Sequence, residues 1–256
     1  MRDPRDENGV DQLTLTDHLA ELRTRIIRSL YAIVVGVGIA FFYSDVLFDL
    51  VRQPVQQFLP EGGLVFTHPM DKFMAHFKLS GVAGLILTCP FWLYQAWCFV
   101  APGLYRHERK YAMAFIATSS ALFVIGASFA YFLVLPAAFD FLFTFGGTTD
   151  RPLITIAEYF SFFATMVLVF AVCFELPVVM VILGLLGILK AEGLRSTRRY
   201  AIVVLSVLSA VVTPPDVISM MLLFVPLLIL YEISILLIAV IERRRAAAST
   251  IGAAEH

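Results

Sequence analysis

Three observations predict that this sequence of 256 residues folds as an all-α, polytopic membrane bundle. The first is composition. Hydrophobic residues make up 59% and charged residues 15%, against about 45–50% and about 25% in soluble domains. Mean hydropathy is +0.84. The second is run length: several apolar runs reach the about 20 residues that cross a hydrocarbon core. The third is charge placement. Fifteen of the nineteen Lys and Arg fall in segments that alternate loops would put on one side of a membrane. The same composition excludes a disordered chain or a disulfide scaffold, and a net charge of −1 offers nucleic acid no attracting field.

One integral membrane domain, 1–256, is expected: a cytoplasmic tail and helix start over 1–25, a six-helix bundle over 26–241, and a cytoplasmic tail over 242–256. The first 25 residues are polar and charged, so no cleavable signal peptide is read. Thr14 and Asp17 fit a capping box for the first helix. Leu15, Leu19, Leu22 and Ile26 make its apolar stripe, while His18, Glu21, Arg25 and Arg28 occupy the other face. Clear spans follow at about Ile26–Tyr43, Phe77–Val100, Tyr111–Phe143 and Phe160–Leu189. Pro136 is expected to kink the third. Between the first two, Leu47, Leu50, Val51, Val55 and Phe58 recur at helical spacing, an amphipathic helix outside the membrane that Pro60, Gly62 and Gly63 end.

Ala201–Ile241 is too long for one crossing. Pro214-Pro215-Asp216 divides it into two short helices. Ala201–Val212 spans only about 18 Å at 1.5 Å per residue, which predicts a thinned membrane there. Basic residues flank the Pro-Pro hairpin on both sides, so the chain crosses an even number of times between them. Six spans with both termini cytoplasmic satisfy the count.

Catalytic signatures are missing. His107-Glu108-Arg109-Lys110-Tyr111 begins like a metalloprotease helix, but Tyr111 replaces the second metal ligand. No catalytic residue, metal or cofactor is expected, and no enzyme. Cys89, Cys98 and Cys173 read as small buried hydrophobes. Ala32, Gly36 and Ala40 form a small-residue ridge for close helix approach.

Three acids carry the functional argument. Glu21 is either half of an i, i+4 pair with Arg25 on a solvated face or a carboxylate presented at the membrane surface. Glu108 lies in a short basic loop after the second span, with Phe99 just upstream. Together, Glu21 and Glu108 could receive two guanidinium groups in bidentate forks. Glu175 sits deep in the fourth span. It is either satisfied by a neighbouring helix or serves as a polar docking or relay point facing a groove. A proton-coupled small-solute transporter using Glu175 is the alternative function these residues allow.

Four motifs then mark a resemblance. His18-Leu19-Ala20-Glu21-Leu22-Arg23-Thr24-Arg25, the stretch from Pro90 to Lys110, Phe174-Glu175-Leu176-Pro177, and Thr213-Pro214-Pro215-Asp216 resemble, in order, the signatures of the TatC family. That family is the multispanning subunit of twin-arginine protein translocases. The resemblance implies a glove-like bundle with short helices five and six in the plasma (inner) membrane. It implies recognition of Arg-Arg signal peptides of folded cargo by Glu21 and Glu108, in a patch shaped by Phe99, Arg23 and Arg25. Glu175 would face the concave groove. Pro54, Thr213 and Asp216 would belong to the outside cap or to partner docking. TatA-type and TatB-type single-span proteins are the implied partners, with self-association also expected, and the proton-motive force is the implied drive. Met220 stands where the family often carries glutamine, which shifts a polar docking role toward Thr213.

Overall fold

The structure is a computed structural model that describes residues 15–56, 63–100, 112–144, 153–213 and 216–254. Among them there is no β-strand. A single bridge pairs Val65 with Thr155 and ties the segment 63–70 to the start of a later helix.

The first helix, α1 (Leu15–Phe42), runs into the short α2 (Ser44–Gln56). Val51 and Val55 bury the apolar edge of α2 against the bundle, as its periodicity predicts. Asp71 opens α3 (Asp71–Leu87) and accepts hydrogen bonds from the backbone N–H groups of Thr67 and His68 at 2.9 and 2.8 Å. The predicted second span is not one helix. It begins earlier, at Asp71, and breaks at Thr88 by 57° into α4 (Cys89–Val100). Pro90 is the cause, since it has no N–H to continue the ladder. The Trp92 indole N–H donates to the Leu85 carbonyl at 3.1 Å, and the Thr88 hydroxyl to that of Gly84 at 2.8 Å.

The third span comprises α5 (Ala112–Phe129), a π-helical turn (Ala130–Val134) and α6 (Leu135–Thr144). The distortion expected of Pro136 takes the form of this widened turn, in which the Leu135 N–H donates to the Ala130 carbonyl. The fourth span also divides, into α7 (Ile156–Cys173) and α8 (Leu176–Leu185), on either side of Phe174 and Glu175. A short α9 (Ala191–Ser196) precedes α10 (Arg198–Val212), which with 15 residues falls short of a full crossing.

Helix six departs from expectation. It is not short: α11 runs over 38 residues, Val217–Ala254, of which Val217–Arg244 are apolar enough to span. Arg243, Arg244 and Arg245 and the alanines beyond are strong helix formers and prolong the helix through the segment expected as a tail. Among the described residues four helices are long and apolar enough to cross a membrane, or five with the bent α3–α4 pair counted as one span; α10, the remaining expected crossing, falls short of that length. Phe58, Pro60 and Gly62, the capping Thr14 and the hairpin residues Pro214 and Pro215 lie outside the described residues.

The core forms where α7 packs between α3 and α5 and where α11 packs on α8 and α10. Phe123, Phe160, Met166, Phe170, Leu223, Leu227 and Ile235 are fully buried there. Close approach depends on glycine. A Cβ on Gly84 would stand 2.5 Å from the Val37 backbone nitrogen, and one on Gly36 would lie 2.5 Å from the Thr88 methyl. The predicted small-residue ridge of α1 is therefore its seam with α3. The cysteines are free thiols, as expected. Much of the apolar surface of α1 and α10 stays exposed, as a lipid-facing surface does.

Candidate functional site: a membrane-surface patch and an intramembrane groove

The helix α4 contributes to two sites. At its C-terminal end it meets the start of α1. The Glu21 carboxylate and Arg25 guanidinium form an ion pair at 3.0 Å, and Arg25 also donates to the Gln95 side-chain oxygen at 3.1 Å. His18 stacks on Phe99 with ring centroids 4.3 Å apart. The Glu21 and Arg25 side chains are only 26% and 24% exposed. The i, i+4 pair of the first reading is present. The pair is not a freely solvated helix face, because α4 covers it and a buried amide orients the guanidinium. Arg23 is exposed and has no partner among the described residues. Glu108 lies outside the described residues, nine positions beyond Phe99 in sequence.

The opposite side of α4 lines a groove of about 430 Å³ with α5 and α8. Trp92, Trp97, Phe115, Phe123, Val179 and Ile182 are among its walls. Trp97 stacks on Phe115 at 4.8 Å and Trp92 meets Phe123 edge-on at 5.2 Å, so aromatic packing holds the walls open. Ser119 and Glu175 are the polar residues in this lining. Glu175 sits at the break between α7 and α8 and accepts a hydrogen bond from the Ser119 hydroxyl of α5. Its second carboxylate oxygen has no partner among the described residues. Glu175 is thus bonded through one oxygen to a neighbouring helix, and the residue also lines the groove.

The outside residues take separate places. Pro54 lies within α2. Thr213 ends α10, buried, its hydroxyl donating to the Ser209 carbonyl at 2.8 Å. Asp216 caps α11 by accepting from the Ser219 N–H at 2.6 Å. The structure joins neither to Glu21 or Glu175 by a hydrogen bond among the described residues. Groups of His, Cys, Asp and Glu able to hold a metal are not found among the described residues.

Sequence reasoning missed Gln95 and Ser119. The available signal was a polar side chain inside an apolar segment, which in a membrane marks a partner to be satisfied.

Comparison with known proteins follows the same lines. The sequence profile described as "Sec-independent protein translocase protein (TatC)" matches residues 17–226. The chain is 44% identical over 206 residues to the Sec-independent protein translocase protein TatC of Carboxydothermus hydrogenoformans, covering 80% of this chain and 84% of that one. It is 38% identical over 208 residues to its namesake in Escherichia coli K12, covering 81% of each. A crystal structure of a twin arginine translocase receptor, TatC, superposes with a TM-score of 0.77 at 39% identity, covering 87% of this chain and 98% of the other. The same receptor solved in DDM gives 0.78 at 39% identity, covering 86% and 98%. The four sequence motifs, the broken α-helical bundle and these matches agree: the chain belongs to the TatC family of Sec-independent protein translocase proteins, and it is a multi-pass membrane protein.

Proposed function

We propose that this chain is the translocase subunit that receives paired-arginine signal peptides, with Glu21 and Glu108 as the two carboxylates that hold the arginines. One observation carries the reading. Glu21 is fixed at the meeting of α1 and α4 by Arg25 and Gln95, beside the stacked His18 and Phe99. A carboxylate oriented in this way exchanges one guanidinium partner for another with little loss of order. Phe99 contributes an apolar floor for the residues that flank the arginines, and Arg23 and Arg25 shape the rim. The chain acts by binding and scaffolding, not as an enzyme.

The groove at Glu175 takes the apolar part of the signal peptide or the helix of a TatA-type or TatB-type partner. Glu175, which lines this groove, is the polar register point, and Pro54, Thr213 and Asp216 belong to the outside cap. Both termini lie in the cytoplasm of the plasma membrane, as the distribution of basic residues supports, and the proton-motive force drives transport. A small-solute transporter is less well supported, because Glu175 is the single titratable carboxylate lining this groove and Glu21 has no task in that reaction.

The test is site-specific photocrosslinking from position 99 in membranes, with a radiolabelled Arg-Arg signal peptide and its Lys-Lys counterpart. A crosslink that weakens with Lys-Lys and disappears with Glu21→Ala or Glu108→Ala supports the proposal. Equal crosslinking of both peptides, or none with inserted protein, overturns it.

A further inference from the structure

A third feature belongs to neither site. Between its two contacts with the bent α3–α4 pair, α1 is one uninterrupted helix. It touches α3 where Gly36 meets Gly84, and α4 where Arg25 meets Gln95. Where it passes the 57° bend, a depression opens between α1 and the residues of the bend. It is a furrow of about 610 Å³ lined by Arg28, Tyr31, Val35, Leu87, Pro90 and Phe91, among others.

Its chemistry is that of an amphiphile's receptor. The walls are apolar and exposed: Val35, Leu87 and Phe91 all face outward. The Thr88 hydroxyl is used internally by the Gly84 carbonyl. Arg28 is the only charged residue in the lining, exposed, with no hydrogen-bond or ion-pair partner among the described residues. It lies two residues inside the start of the first apolar run, where an unpaired guanidinium is costly unless it reaches an anion or the interface. Tyr31 stands one turn further along, amphipathic and exposed, as residues at headgroup level commonly are.

The furrow is shallow and open, its lining side chains largely exposed. It therefore suits a flexible chain and not a second helix, whose diameter with side chains is about 10–12 Å. We propose that it binds one anionic glycerophospholipid, with the phosphate on Arg28 and an acyl chain along Val35, Leu87 and Phe91. Charge complementarity selects the headgroup: a guanidinium forks onto phosphate oxygens, and nothing acidic in the lining repels them.

Native mass spectrometry of the full chain tests this after detergent purification and addition of equal amounts of phosphatidylglycerol and phosphatidylcholine with matched acyl chains. The expected result is preferential retention of one phosphatidylglycerol. Arg28→Gln cuts that preference about fivefold, the worth of one basic residue at a membrane surface. Arg28→Lys largely keeps it, and Arg195→Gln, which removes the same charge far from the furrow, leaves it unchanged. Val35→Trp, which fills the furrow with Arg28 intact, displaces the lipid. Equal retention of the two lipids, or equal losses with Arg28→Gln and Arg195→Gln, overturns the proposal. So does competition by inorganic phosphate alone, or a photo-reactive group at position 91 that captures a single-span protein in membranes and no phospholipid.

Discussion

Glu175 and Ser119 are joined across the bundle: the Ser119 hydroxyl of α5 donates to the carboxylate that separates α7 from α8, 56 residues away in sequence. The bond satisfies one oxygen of the acid and leaves the other buried without a partner among the described residues. Ser119→Ala is expected to destabilise the protein by about 1–3 kcal/mol, the penalty of stranding a buried polar acceptor. Glu175→Gln in the same background, which removes the acid, recovers part of that loss. Thermal unfolding in detergent of the two single variants and the double variant measures the coupling.

The close contact of α1 with α3 leaves no room for a larger side chain. Gly84→Val places a branched Cβ against the Val37 backbone, which cannot move without shifting a whole helix. A loss of about 1–3 kcal/mol is expected from such overpacking. Gly81→Val, where a Cβ meets nothing within 4 Å, is the matched control and stays near neutral. Unfolding midpoints of the two variants decide the matter.

Gln95 holds Arg25, and Arg25 holds Glu21. Gln95→Leu preserves volume and removes one charge-assisted hydrogen bond. Binding of an Arg-Arg signal peptide to the inserted protein is expected to weaken by about 5–150-fold, from roughly 1–3 kcal/mol. The melting temperature changes little, because an apolar side chain is acceptable at a buried position. Paired affinity and melting measurements separate this from simple unfolding.

At the α3–α4 break, the Trp92 indole N–H meets the Leu85 carbonyl. Trp92→Phe keeps most of the apolar contact with Phe123 but loses that donor. A destabilisation of about 1 kcal/mol is expected from the lost bond. Spin labels on α3 and α4 should report a broader distance distribution, while a pair within α11 should not.

Much of this protein was legible in its sequence, and the reason is locality. Hydropathy over about 20 residues marks a crossing because the bilayer itself is the measuring rod. Proline marks a distortion because a missing N–H acts within one turn, as expected at Pro136; the same effect at Pro90 went unread. Glu21 and Glu175 stood out because a carboxylate at or inside a membrane is costly without a purpose. Helix six was misjudged because Pro214-Pro215 announces where a helix cannot continue and says nothing about how far α11 extends at its far end.

Partnership was not legible. Gln95 reaches Arg25 from 70 residues away, and Ser119 reaches Glu175 from 56. Whether a polar side chain in an apolar run meets lipid, a groove or another helix depends on how that helix is rotated about its axis. Rotation is set by packing at particular points, such as Gly36 on Gly84 and Gly126 against the Phe170 carbonyl. The sequence by itself determined which segments enter the membrane and which acids need an explanation. Only the tertiary structure decided which side chains answer them, because that choice is made by the contact geometry of helices far apart in the chain.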